Sequence, residues 1–192
     1  MNIREYVLKN RSYRRFYQDH TIERAALIEL VDLARHSASA ANVQPLKFFL
    51  SHTPEMNRMI FPHLGWAGYL TDWPGPEEGE RPSAYIIILG DTHLKQSFGC
   101  DHGIAAQSIL LGAVEKGLGG CMIATVERRE ALTEALGLPD HLIILLVLAL
   151  GKPKETVVIE PLRPDGDIKY WRDNDGIHHV PKRSLDELIV GD

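Results

Sequence analysis

Apolar residues recur along this chain with two distinct periods, and each predicts a different kind of element. From Ile22 to His36, Leu27, Ile28, Leu30, Val31, Leu33 and Ala34 repeat at helical spacing behind Thr21, which predicts an amphipathic helix with that threonine as its N-cap. Residues 2–10 read as a shorter helix that ends just before a basic cluster. Lys47–Ser51 (KFFLS) and Ala84–Gly90 (AYIIILG) have the length and apolar content of buried strands. Between them, Pro74-Gly75-Pro76 and residues 77–82 read as loop.

The stretch from Cys100 to Gly117 is apolar around most of a helix circumference, with Ile104, Ala105, Ala106, Ile109, Leu110, Leu111, Ala113 and Val114 leaving little polar face. A helix of that kind is buried nearly all round, in a protein centre or against a partner subunit. Gly117 ends it, Cys121–Val126 reads as a strand, Arg128–Leu136 as a helix, and Leu142–Leu150 as another fully buried strand. This alternation predicts an α+β fold, a sandwich of helices around one sheet. After Gly151-Lys152-Pro153 the composition turns polar. Asp167–Arg172 and Ile177–Val180, flanking Asp173-Asn174-Asp175-Gly176, predict a β-hairpin, and Ser184 with Glu187 three residues on is a capping box that starts a last helix. The extension over 153–183 is too small for a domain, so residues 1–192 are expected to form a single one.

Composition narrows the class. At this length a chain buries roughly 70% of its unfolded surface, so it needs no metal or disulfide to fold. With 21 Lys+Arg against 26 Asp+Glu, a net charge of -5 and 7% aromatics, it is not a general nucleic-acid binder. The N-terminus lacks an apolar leader, the longest apolar run is too short to span a bilayer, and Cys100 and Cys121 read as buried thiols. A reduced, cytoplasmic protein is expected, with no membrane partner.

Several apparent motifs fail on their context. Gly117-Leu118-Gly119-Gly120 follows a helix, whereas a dinucleotide fingerprint must follow a strand. Reading Gly176 as the sixth position of a calcium loop puts Trp171 first and Lys182 twelfth, where carboxylates are required. His178 and His179, as strand neighbours, face opposite sides, and no Gly-x-Ser-x-Gly elbow exists. No metal site is expected.

Two segments do carry chemistry. Arg11-Ser12-Tyr13-Arg14-Arg15 concentrates cations and a hydroxyl in one turn, which suits a phosphate monoester through charge-assisted hydrogen bonds. Ser37 to Pro45 (SASAANVQP) offers small residues at Ala38, Ser39 and Ala40 for close backbone approach, and two carboxamides at Asn42 and Gln44. Carboxamides supply donors and an acceptor that match the imide edge of a heterocycle such as flavin or uracil.

Together these segments resemble the FMN-dependent nitroreductase family. The family's Arg-Arg-Ser-x-Arg-x-Phe opening is matched by Asn10 to Phe16 with Asn10 for the first Arg, and its Pro-Ser-x-x-Asn-x-Gln-Pro-Trp by Ala38 to Leu46, with Ala38 for Pro and Leu46 for Trp. The buried helix with Asp101, Gly103, Ala106 and Gln107 resembles the family's dimerisation helix. Gly117–Cys121, Leu136–Pro139, Leu148–Pro153 and Pro181–Leu185 follow in the family's order.

The resemblance implies a homodimeric α+β sandwich with a central, mostly antiparallel sheet and FMN sites at the subunit interface. Arg11, Ser12 and Arg14 would hold the FMN phosphate or the pyrimidine side of the flavin, with Lys182 and Arg183 converging on the phosphate from the C-terminus. Ala38, Ser39, Ala40, Asn42 and Gln44 would reach the flavin of the other subunit, and Met122, Ile123 and Ala124 would lie along its rings. No catalytic side chain is expected, because the flavin takes hydride from NAD(P)H and passes electrons to a small electron-poor acceptor, a nitroaromatic or quinone, in a ping-pong cycle. Same-fold enzymes of reductive dehalogenation or flavin fragmentation, and a non-enzymatic flavin-binding redox sensor, are the alternatives. The loop from Phe61 to Pro82, with Trp66, Tyr69 and Trp73, is expected to cover the flavin.

Overall fold

The computed structural model describes residues 1–191. Its main sheet has five antiparallel strands: β1 (Phe16–Tyr17), β2 (Leu46–Ser51), β3 (Ala84–Asp91), β4 (Gly119–Ile123) and β5 (Leu142–Pro153). β5 is the hub, pairing with β3, with β4 and, at its last two residues, with β1. Helix α1 (Ile3–Lys9) precedes the first strand, and α2 (Arg24–Arg35), α3 (Pro54–Ile60), α4 (Asp101–Glu115) and α5 (Arg129–Ala135) lie in the connections between strands.

The apolar strands run without polar interruption because the sheet is buried on both faces. Ile86 and Ile88 of β3 and Leu146, Leu148 and Leu150 of β5 pack on Leu27 and Leu30 of α2 and Ile109 of α4. Tyr85, Ile87, Val147 and Ala149 point the other way, onto Ile60 of α3 and Leu132 of α5. Within this chain α4 buries its sheet-facing side, while Ile104, Ser108, Leu111 and Val114 stay half-buried and Gln107 exposed.

Several expected boundaries move, each for a physical reason. Helix α2 starts at Arg24 behind Glu23, whose side chain makes no capping bond; Thr21 is no cap, because the chain stays extended far enough to bury Ile22 in the core. Strand β4 begins two residues early, at Gly119, and stops at Ile123. Its two leading glycines leave room for neighbours: a Cβ on Gly119 would lie 2.5 Å from the Tyr13 ring. Helix α5 begins at Arg129, since Arg128 takes a left-handed φ of 49°. Cys121 is buried as expected, but Cys100 is exposed.

Residues 154–191 hold a second, three-stranded sheet of β6 (Val157–Pro161), β7 (Trp171–Arg172) and β8 (His178–Lys182), followed by the short helix α6 (Leu185–Leu188). The predicted hairpin is present but short: β7 pairs with β8 only at Trp171–His179 and Arg172–His178, and residues 167–170 lie outside it. Its turn is held by Asp173, whose Oδ1 accepts the N–H groups of Asp175 and Ile177. Strand β6, parallel to β8, is not foreshadowed in the sequence, where VVIEP is short and half-buried. The capping box at Ser184 and Glu187 forms as read.

Candidate functional site

The basic turn lies against the glycine end of β4. Ser12 bridges Gly120, and the Tyr13 N–H donates to the Gly120 carbonyl at 3.0 Å. Arg11 donates from Nη2 to the Val7 carbonyl at 2.8 Å, at the C-terminal end of α1. Its Nε is buried without a partner, and burial lowers its pKa from the ordinary arginine value. A buried guanidinium N–H that meets no acceptor is costly unless something else satisfies it.

Arg14 and Arg15 diverge from it. Arg14 donates from Nη1 to the Ser12 carbonyl at 3.2 Å, contacts His178 Nε2 at 3.3 Å, and stacks over the Tyr170 ring at 4.9 Å. Arg15 grips both oxygens of Glu80, which also receives Lys154 Nζ at 3.0 Å. The Arg15 hydrogen bond above all holds the Glu80 carboxyl down at about 2. Arg15 therefore serves the fold and is not free for a ligand.

Glu155 organises this neighbourhood from beneath. Its side chain is 1% exposed, Oε1 accepts the N–H groups of Arg14 and Arg15, and Oε2 accepts Arg172 Nη2 at 2.9 Å. The Arg172 guanidinium stacks on Trp73 at 4.2 Å, and Tyr170 packs on Tyr69 with ring centroids 5.0 Å apart. The C-terminal sheet thus joins the basic turn to the aromatic loop.

His178 accepts from Arg14, so its proton sits on Nδ1, which is buried without a partner. Burial first, then the charges of Arg14 and Arg172, push its pKa down to about 4 from 6.5. Between those two values an unfolded chain binds a proton that the folded chain refuses, so His178 makes stability fall as pH drops from 6.5 towards 4. Urea unfolding across that range should show this slope, and His178→Gln should flatten it.

The second predicted segment is built on Asp101, at the start of α4. Ser39 Oγ donates to Asp101 Oδ2 at 2.7 Å, the Ala40 N–H donates to Oδ1 at 3.1 Å, and the Gln44 N–H donates back to Ser39 Oγ at 3.0 Å. The Ser39 hydrogen bond leads in holding the Asp101 carboxyl below its usual value. This bracing fixes an unfavourable backbone: Ala41, Asn42 and Gln44 have φ of 52°, 54° and 53°. Non-glycine residues in that region store strain and cluster at functional sites. Ala38, Ala40, Asn42 and Gln44 are exposed around it.

On β4, Met122 and the following Ala124 are exposed, whereas the Ile123 side chain is buried in the core and can offer a ligand only its backbone. Lys182 ends β8, and Arg183 is held by Glu187 Oε1 at 3.1 Å. Arg11, Ser12 and Arg14 therefore share one surface with the Gly120–Ala124 edge. Among the described residues, no hydrogen bond or ion pair joins them to the 38–44 loop or to Lys182 and Arg183.

The nitroreductase family model matches residues 7–68 and 86–152, well over half of the chain. The chain belongs to the nitroreductase family. It is 27% identical over 179 residues to a Bacillus subtilis protein named FMN reductase (NADPH), covering 85% of this chain and 70% of that relative. A solved nitroreductase family protein from Clostridium novyi NT shares its fold with a TM-score of 0.65 at 21% identity, over 97% of this chain and 98% of the other. An FMN-dependent nitroreductase from Clostridium difficile R20291 gives 0.63 at 22% identity, over 78% and 86%.

In this nitroreductase-family chain the matched stretches carry the basic turn, the 38–44 loop and the Met122–Ala124 edge. The unmatched stretches 69–85 and 153 onward carry Tyr69 and Trp73, which the sequence places in the loop expected to cover the flavin, and Glu155, Tyr170, Arg172 and His178, which it does not place near the site. Nothing in a single sequence pairs Glu155 with a turn 140 residues away. Among the described residues no helix is long and apolar enough to cross a membrane.

Proposed function

We propose that this nitroreductase-family protein is an FMN-dependent NAD(P)H oxidoreductase whose acceptor is a small electron-poor molecule of the nitroaromatic or quinone type. The family match over both chemistry-bearing segments carries the reading. The unpartnered, buried Nε of Arg11 beside Ser12 supports it, since a phosphate oxygen would satisfy that group. Bound FMN supplies the hydride and electron transfer itself.

The chain's own residues bind, orient and shield. Arg11 and Ser12 would hold the phosphate, and Arg14 would place positive charge beside the pyrimidine side of the flavin, where it would favour the reduced state. The backbone of Met122, Ile123 and Ala124 would line the flavin. Within one chain no hydrogen bond or ion pair joins Ala38, Ser39, Ala40, Asn42 and Gln44 to Arg11 among the described residues, which supports their serving the site of a second subunit in a homodimer. Lys182 and Arg183 complete the phosphate site in the same assembly, once Arg183 leaves Glu187. Tyr69, Trp73 and Tyr170 wall the site and exclude water. Burial pushes the Cys121 thiol up, which disfavours the thiolate that a redox-sensing role would use.

Two variants test the assignment of the basic turn. Losing one charge-assisted hydrogen-bond set, Arg11→Ala should weaken FMN binding by roughly tenfold to a hundredfold. Arg15→Ala should leave FMN binding near the parent value and instead lower stability above about pH 4.5, where Glu80 is ionised, by an amount that fades as pH falls towards 2. Equal FMN affinities in the two variants would contradict the assignment. Anaerobic reduction by NADH or NADPH, followed by mixing with a nitroaromatic or a quinone, tests the reaction; the expected result is reoxidation by the acceptor with ping-pong kinetics.

A further inference from the structure

We infer that Asp91, His93 and His141 form a site for a borderline divalent transition-metal ion, with Zn²⁺ as its probe. One ligand atom from each of the three residues lies within 4.8 Å of the others. Tetrahedral zinc, with bonds of about 2.0–2.1 Å, holds its ligands roughly 3.4 Å apart, so the two rings would have to rotate out of their stack to close the set.

The backbone holds the three groups at one end of the main sheet. Asp91 is the last residue of β3, opposite Leu142 of β5, and His141 immediately precedes that strand. Thr92, between Asp91 and His93, donates its N–H and its hydroxyl to the His141 carbonyl at 2.8 and 3.0 Å. The two imidazoles are stacked 4.2 Å apart and only 7° from parallel. Among the described residues neither ring is engaged by a side-chain or backbone hydrogen bond, so their nitrogens are available to a ligand.

Asp91 is the second observation. It is 8% exposed, yet its carboxylate accepts only the His93 N–H at 3.0 Å and faces Lys47 Nζ at 4.0 Å. A carboxylate offers about four lone-pair positions, so Asp91 keeps acceptor capacity free for a further partner. Two imidazole nitrogens and one carboxylate oxygen suit zinc, nickel or cobalt, and disfavour magnesium and calcium, which take oxygen ligands. With His93 exposed, a fourth position opens to water. The site uses none of the residues assigned to FMN.

Protein stripped with EDTA and desalted would be titrated with Zn²⁺ by calorimetry and with Co²⁺ by visible absorption. The expected result is one ion per chain, a tetrahedral Co²⁺ spectrum displaced by Zn²⁺, and a Zn²⁺-dependent rise in melting temperature. His93→Ala and His141→Ala should each weaken binding by at least about tenfold and abolish that rise. His93 is exposed, so His93→Ala carries the test should His141→Ala fold poorly. No saturable Zn²⁺ binding below about 1 mM, or unchanged binding in both variants, would overturn the assignment.

Discussion

Glu155→Ala is expected to remove about 3–5 kcal/mol of stability, the cost of breaking a buried ion pair by deleting one partner. The side chain is 1% exposed and serves three donors at once: the N–H groups of Arg14 and Arg15 and the Arg172 guanidinium. Alanine would leave all three without an acceptor, with Arg172 already lacking a partner for its Nε. Glu155→Gln keeps one carbonyl oxygen for the backbone donors but turns an amide towards Arg172, so its loss should be smaller. Urea unfolding of the three proteins gives the order directly: wild type, then Gln, then Ala. The same variant should loosen the C-terminal sheet from Arg14, and Arg172 from its seat on Trp73. Faster hydrogen exchange over residues 167–180 would report that release.

The second large effect is expected at Gly120. A Cβ there would lie 2.6 Å from Leu110 Cδ2, 2.7 Å from the Ala149 carbonyl oxygen and 2.8 Å from Leu150 Cδ2. The leucine side chains can shift, but the Ala149 carbonyl belongs to β5, the hub of the sheet, and cannot move without breaking its pairing. Overpacking of this kind costs about 1–3 kcal/mol, and Gly120→Ala should fall at the upper end because the obstacle is backbone. Gly120 also receives the Tyr13 N–H and bridges Ser12, so pushing β4 aside should move the basic turn with it. Lost stability together with weaker FMN binding is the expected signature. Gly137→Ala, at a glycine with no atom near its would-be Cβ but a φ of 62°, should cost stability without touching FMN.

The sheet was legible because its strands are buried on both faces: AYIIILG and the run from Leu142 to Leu150 admit few other readings. Helix α4 was legible for the same reason. Thr21 misled because a good capping residue stood near a helix start, while burial of Ile22 decided where the helix began. In the site, the clustering of Arg11, Ser12 and Arg14 and the small residues around Ser39 were visible, since both are local patterns. Their supports were not. Glu155, Arg172, His178 and Tyr170 meet the basic turn only through folding of the C-terminal sheet, and a hydrogen bond spanning 140 residues leaves no trace in spacing or composition. The left-handed backbone was half visible: asparagine at 42 tolerates it, but Ala41 and Gln44 adopt it only because Asp101 and Ser39 brace the loop. The proximity of Asp91, His93 and His141 was not legible, because Asp91 and His93 reach His141 only through the pairing of β3 with β5.

The central claim is that this chain binds FMN and accepts electrons into it from a nicotinamide donor. The most direct test is the visible absorption spectrum of the purified protein after incubation with FMN and removal of the excess, recorded before and after NADH or NADPH is added without oxygen. Retained flavin bands near one FMN per chain, bleached by at least one of the two donors, are the predicted result. A colourless protein that stays free of flavin after that incubation, or bound flavin that neither donor bleaches, would contradict it.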